Sequence, residues 1–395
     1  MRKFSTGIWV LVLGYTLSQF YRAFMAVLSP VLREELGADP GDLAVSSGIW
    51  FFCFAAMQIP VGGWLDRFGP RRTAAGLMLV AALGAAVFAL AQTAWHLHIA
   101  MALIGIGCSP ALMSAYYIFA RNFSPREFGT LAGTFVAVGS LGNILSSSPM
   151  EAFAGWVGWR EATWWMVAAT VAVAVAEFAV VRDPDRLDSS HPAGRLVDIL
   201  RLRALWFILP LFMVNYGASA AIRGLWAGPY LEEVYGVGSD VIGFATLMMG
   251  IAMIIGNYLA GPLVSLVGSV RRTILMGTAA TVIVIGMLWL FTAVSLAISI
   301  TLLALVGLSG ASYVLLIAHG RAFLPPHLVG RGVTFLNMFS IGGTGVLQFA
   351  SRPVYRLASE NATPAEAYSI LFLFFTIPLA IGLALYFLTP EAPDD

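Results

Sequence analysis

Apolar residues occur along this chain in long blocks, separated by short clusters of charged and turn-forming residues. The blocks cover 7–32, 43–65, 73–92, 97–120, 128–150, 162–181, 205–231, 240–264, 273–293, 296–319, 333–351 and 367–389. Each is close to the roughly 20 apolar residues that a helix needs to cross a bilayer. The alternating ten-residue segments of a membrane barrel are absent. The pattern therefore predicts an all-α membrane protein with twelve transmembrane helices. The stretch before the first block is short and weakly basic, so that block reads as a transmembrane helix rather than a leader.

The longest polar interval carries mixed charges, Pro and Gly, which mark a linker. The expected organisation is a six-helix bundle over 1–181, a cytoplasmic linker over 182–204 and a second six-helix bundle over 205–395. Of the 22 basic residues, 16 fall in segments on one side of the twelve-span arrangement. The positive-inside rule makes that side the cytoplasm and places both termini there.

Composition adds exclusions. Only 11% of residues are charged, against about 25% in soluble domains. A net charge of +1 implies no nucleic-acid partner. Cys53 and Cys108 are too few for a disulfide framework or a thiolate metal site. No span carries a nucleophile–base pair or an acid cluster, so neither an enzyme nor a bound cofactor is expected. Arginine outnumbers lysine 21 to one, which suggests a GC-rich bacterial genome and hence an inner-membrane location.

The halves repeat each other at an offset near 200 residues. Tyr15 and Arg22 match Tyr216 and Arg223 with the same spacing of seven. Asp42 and Asp240 open the second and eighth spans as expected N-terminal caps. Gly107, Arg121 and Pro125 match Gly307, Arg321 and Pro325, and Gly129, Gly139 and Gly142 match Gly332, Gly342 and Gly345. Parallel repeats of this kind build transporters whose site lies between two halves.

The loop after the second span reads Gly62-Gly63-Trp64-Leu65-Asp66-Arg67-Phe68-Gly69-Pro70-Arg71-Arg72. It resembles the signature loop of the major facilitator superfamily. A degraded copy follows the eighth span, with Ser265 in place of the acid and Arg271-Arg272 retained. Gly158-Trp159-Arg160 resembles a further stretch of that superfamily. The resemblance implies two pseudo-symmetric six-helix bundles, a monomer in membrane lipid, and secondary transport by alternating access. It also implies that Gly62, Asp66, Arg67, Gly69, Arg71 and Arg72 form a latch between two conformations.

Arg22 and Arg223 lie deep in their spans, where an arginine costs about 2.5–3.5 kcal/mol. No acid in the sequence lies at matching depth. A guanidinium fork suits carboxylate and phosphate, and the pair resembles the organophosphate/organic-anion branch of the superfamily. The expected substrate is a phosphorylated or carboxylated metabolite gripped by both arginines and moved with a coupling proton or counter-anion. The alternative is that each arginine braces helix carbonyls or tyrosines. Tyr15, Ser18 and Gln19, and Tyr216 and Ser219, precede the arginines by three, four or seven residues and share their faces. Tyr116, Tyr117, Asn337 and Gln348 are further polar candidates.

Glu177 is a possible proton site, the other reading being a snorkelling or cytoplasm-facing acid at the end of its span. His319 is a second possible proton site beside Arg321. Met249 and Met253, one turn apart, raise copper import as an alternative. Drug/proton antiport is another alternative, and a transporter-like receptor is a different class.

Overall fold

The computed structural model describes residues 6–123, 131, 134–184, 202–324, 329–360 and 362–391. Pro125, Gly129 and Pro325 of the repeat, and most of the expected linker, lie outside the described residues. Every long element is helical, and the chain divides into two compact units, Met1–Asp188 and Ser189–Asp395.

In the first unit, α1 (Thr6–Tyr21) and α2 (Met25–Leu36) together form the first span, bent by 49° at residues 22–24. A single 50-residue element, α3 (Pro40–Ala89), holds the second and third expected spans. Then come α4 (Ala94–Cys108), α5 (Ala111–Asn122), α6 (Thr134–Leu145), α7 (Ser148–Val157) and α8 (Trp159–Val180). The second unit contains α9 (Arg203–Ala221), a π-helical turn at Ile222–Trp226, α10 (Ala227–Tyr235) and α11 (Ser239–Val267). It continues with α12 (Val270–Leu290), α13 (Leu296–Gly310), α14 (Tyr313–Ala322), α15 (Val329–Ser359) and α16 (Pro364–Tyr386).

Among the described residues, eight helices are long and apolar enough to cross a membrane, or nine with the bent pair. The difference from twelve has a physical origin. The long α3 carries two spans, α6 and α7 divide the fifth, and α15 lines up Ser340, Thr344, Gln348 and Ser351 as buried polar residues. The arrangement is consistent with twelve helices.

Exposed Leu79, Leu83, Ile283 and Ile377 present the long helices' apolar faces outward, as lipid-facing surfaces require. Within each unit, glycines allow helix backbones to approach closely. A Cβ on Gly105 would meet the Trp50 backbone, one on Gly107 the Ala81 backbone, and one on Gly256 the Leu308 carbonyl. Small residues serve this purpose where no hydrophobic driving force separates helix from lipid.

The start of α3 corrects one sequence expectation. Asp39, not Asp42, is the N-cap; its carboxylate accepts from the Asp42 N–H at 2.7 Å, and Asp42 reciprocates from the third position. Pro40 occupies the first helical position, where its missing N–H costs nothing.

The two halves of α3 join at Gly69, whose φ of 81° and ψ of 165° only glycine adopts readily. Asp183 closes over this junction and accepts from the Arg71 N–H at 2.8 Å. Gly69→Ala adds backbone strain and a Cβ within 2.5 Å of Asp183. It is expected to destabilise the first unit by about 1–3 kcal/mol, read as a lower unfolding temperature of the purified protein.

Candidate functional site

In the first unit, α1 ends one residue before Arg22, so the arginine lies in the non-helical break rather than on the face of α1. Its guanidinium is 5.1 Å from the ring centroids of both Trp50 and Phe54. Those rings are themselves stacked at 5.0 Å. Flat aromatic faces stabilise a cation by roughly 0.5–2 kcal/mol while occupying few of its N–H donors. Arg22 and Ser18 both lie near the buried Cys108 thiol of α4. The Gln19 side-chain carbonyl is buried without a hydrogen bond among the described residues. Tyr15 turns to a different partner, stacking on Phe135 at 5.4 Å within an apolar cluster. It neighbours Tyr116 there. The structure therefore groups Ser18 with Arg22 and places Tyr15 in packing.

The second unit also interrupts its helix at the matched arginine. Arg223 sits inside the π-helical turn and is buried. Such turns widen the backbone ladder by one residue and recur at functional sites. Arg223 lines a cavity with Tyr216, Ser219, Ala220, Met253, Gly307, Gly310 and Tyr313. The space is small, on the order of one water molecule. Ser219 contributes a buried hydroxyl with no hydrogen bond among the described residues. Tyr216 lies with its ring 4.7 Å from that of Tyr313. Here the expected grouping of Tyr216, Ser219 and Arg223 is present.

Sequence reasoning missed the helix break and the π turn. It also missed Trp50, Phe54 and Tyr313, which come from other spans and share no register with the arginines. The signal available for the break was weak: Pro30 lies eight residues beyond Arg22, and Gly224 follows Arg223.

Of the two methionines, Met253 lines the Arg223 cavity. Met249 is fully buried, with its backbone against Gly307. Among the described residues, no cluster of three or more His, Cys, Asp or Glu is placed to hold a metal.

At the junction loop, Tyr117 accepts from Arg121 at 3.0 Å, and the Asp66 carboxylate lies close to its hydroxyl. Arg71 donates its Nε–H to the Phe178 carbonyl at 2.5 Å and lies over the Phe178 ring. Arg67 packs on the Phe68 ring, and Arg72 and Gly62 are exposed. The loop is thus tied to α5 through Asp66 and to the end of α8 through Arg71. In the second unit, the Ser265 hydroxyl donates to the Gly261 carbonyl of its own helix at 3.4 Å.

The reading of Glu177 as a snorkelling or cytoplasm-facing acid is overturned. Its side chain is fully buried, pressed into the space left by Gly14 of α1. His319 is also buried, its Nδ1 hydrogen-bonded to the Tyr386 hydroxyl at 2.8 Å. That contact ties α14 to α16.

A family model described as Major Facilitator Superfamily matches residues 11–348. A probable sulfoacetate transporter of Cupriavidus necator is 24% identical over 272 residues, covering 64% of this chain and 63% of that one. A probable L-galactonate transporter of Escherichia coli is 24% identical over 156 residues, covering 40% of this chain and 34% of its own. The chain thus spans less than two thirds of the length of these curated relatives. Among solved structures, a D-xylose-proton symporter superposes with a TM-score of 0.80 at 14% identity, covering 98% of both chains.

Proposed function

Since the chain belongs to the Major Facilitator Superfamily, we propose that it is a secondary active transporter of a small organic anion. It works across the bacterial cytoplasmic membrane by alternating access, as a monomer with both termini in the cytoplasm. The observation that carries this reading is the pair of repeat-matched arginines, each buried where its span departs from regular α-helix. Broken helices expose backbone groups at membrane depth and are where transporters place their ligands.

Arg22 and Arg223 each offer a planar N–H fork to the anion. Trp50 and Phe54 hold the Arg22 guanidinium against their ring faces. Ser219 and Gln19 supply neutral hydrogen-bonding groups beside the charge. The Arg223 cavity is too small for a metabolite in this conformation, so binding requires the lining helices to open. Asp66 and its contacts around Tyr117 and Arg121 form the latch that such opening releases.

The relatives named for sulfoacetate and L-galactonate favour a carboxylated or sulfonated substrate over a phosphorylated one. Coupling is to a counter-anion or a proton. The cation lining the Met253 cavity opposes a bare copper ion there.

The test is thermal unfolding of the purified protein with sulfoacetate, galactonate, phosphate, sugar phosphates, copper(I) and hydrophobic cations. A ligand at a hundredfold its Kd stabilises the folded state by about 2.7 kcal/mol. A rise with one anion class, followed by flux of that anion in liposomes, is the expected result. A rise with copper or hydrophobic cations alone would replace the anion reading with the metal or the drug reading.

A further inference from the structure

Near the end of α8 lies an acid that the anion reading does not use. Glu177 is fully buried, and both carboxylate oxygens lack a hydrogen-bond partner among the described residues. The group fills the space that Gly14 leaves open. A Cβ at Gly14 would come within 2.5 Å of Glu177 Oε1 and 3.1 Å of the Met78 methyl carbon. The carboxyl is therefore closed in by α1 and the second half of α3.

The same level of the second unit shows how a polar group is satisfied there. The Arg-Arg-Thr runs at 71–73 and 271–273 relate α3 to α12 by 200 residues, and Arg121 and Arg321 relate α5 to α14 likewise. Tyr15 and Tyr216 set an offset of 201 between α1 and α9. The first-turn acids Glu161 and Glu366 set 205 between α8 and α16. By these offsets Gly14 matches Asn215, Glu177 matches Gly382, Met78 matches Thr278, and Leu112 matches Ser312.

In the second unit the polar residue is Asn215, whose amide donates to Thr278 at 2.9 Å and to Ser312 at 3.3 Å. In the first unit the polar residue has moved to the opposite helix and become an acid. A thioether and an isobutyl group stand at the positions of the two hydroxyls. Both hydrogen-bond partners are lost at the point where the group gains the ability to ionise.

Packing accounts for the swap of a small for a large residue across the two helices, but not for the choice of an ionisable one. A protonated acid without a partner costs about 1–3 kcal/mol, as any buried polar group does. An isolated carboxylate costs several kcal/mol more. The site holds the acid in its neutral form for as long as α1 covers it.

We propose that Glu177 is a proton-binding site of this protein, occupied when α1 packs against α8 and emptied to water when those helices part. The step is the making or breaking of one O–H bond at a Glu177 oxygen, with water supplying or accepting the proton. It is independent of which solute the protein carries.

The surrounding charged and titratable groups have engagements of their own. Tyr21 of α1 bonds Thr170, and Tyr15 stacks on Phe135. On α3, Arg71 is directed to the Phe178 carbonyl, Arg67 to Phe68 and Asp66 to Tyr117, while Asp42 belongs to the first-turn capping box. Cys53 is half-buried on α3, Arg72 is exposed, and Glu151 lies in the first turn of α7. The Cys108 thiol of α4 is fully buried and lies near Arg22 and Glu177.

The test uses the purified full chain without any solute. Infrared difference spectra across pH should show a carboxylic-acid carbonyl band that disappears as pH rises, with the unfolding temperature falling over the same interval. Glu177→Gln, which mimics the protonated group, should lack that band and show a flat unfolding temperature there. Met78→Thr keeps the acid and introduces the hydroxyl that Thr278 supplies in the other unit. It should move the midpoint down by about one pH unit, because a donor favours the carboxylate. A band that persists in Glu177→Gln, or a pH slope unchanged by it, overturns the proposal. If that variant does not fold, an unmoved midpoint in Met78→Thr does the same. No anion enters the measurement, so its failure and that of the anion panel are separable.

Discussion

Arg223→Gln abolishes anion-dependent stabilisation and slows anion flux by about thirty- to several-thousandfold, while the unliganded protein stays folded. The range follows from the 2–5 kcal/mol lost on truncating one member of a buried charge pair, at 1.4 kcal/mol per tenfold. Arg223 lines its cavity within a π turn, so Gln fills much of the same space with a neutral group. Arg22→Gln has a similar effect on the anion. It also lowers the unliganded unfolding temperature, because the guanidinium leaves Trp50 and Phe54, each 5.1 Å away. The loss of those ring contacts is worth roughly 0.5–2 kcal/mol. Lysine at either position keeps the charge but not the planar fork, and recovers only part of the affinity. The measurement is ligand-induced unfolding shift and liposome flux on all four variants. Full anion affinity in both Gln variants would sink the arginine grip.

Gly307→Leu prevents assembly of the second unit. A Cβ there would run into the Met249 backbone, which cannot rotate away as a side chain can. Overpacking a well-filled core costs about 1–3 kcal/mol and more when backbone must move, and here α11 and α13 would have to separate along their contact. The effect reaches the site, since Gly307, Gly310 and Met253 line the Arg223 cavity. Gly286→Leu is the control, because a Cβ at Gly286 meets nothing within 4 Å. Membrane-inserted yield and size-exclusion profile should collapse for the first and stay normal for the second. Equal behaviour would mean that the α11–α13 approach is not what the glycine preserves.

Much of the architecture was legible in the sequence because the bilayer imposes it. A helix must satisfy its own backbone and cover its length with apolar residues, so blocks of hydrophobic residues translate directly into spans. The repeat was legible for a related reason: a turn or close contact needs glycine, and a helix end needs a cap. Gly107 and Gly307 keep their identity in both halves. The burial of Arg22 and Arg223, and the gathering of Tyr216 and Ser219 around the second, were also legible from spacing.

The pairing of residues from different spans was not legible. Hydropathy records how far along a helix a residue lies, not which neighbour it faces. Nothing in the local sequence distinguishes Tyr15, which packs on Phe135, from Tyr216, which lines a cavity with Arg223. Glu177 looked like an acid at a membrane boundary until Gly14 was seen to make room for it. Asp183, far along the chain, closes over Gly69 of the loop that also holds Asp66. The sequence by itself determined the helical class, the repeat and the membrane setting, because each follows from the one-dimensional spacing of apolar, charged and glycine residues. Only the tertiary structure decided which arginine neighbours which ring and which acid is sealed from water, because those depend on helix rotation and approach that hydrophobic periodicity leaves unspecified.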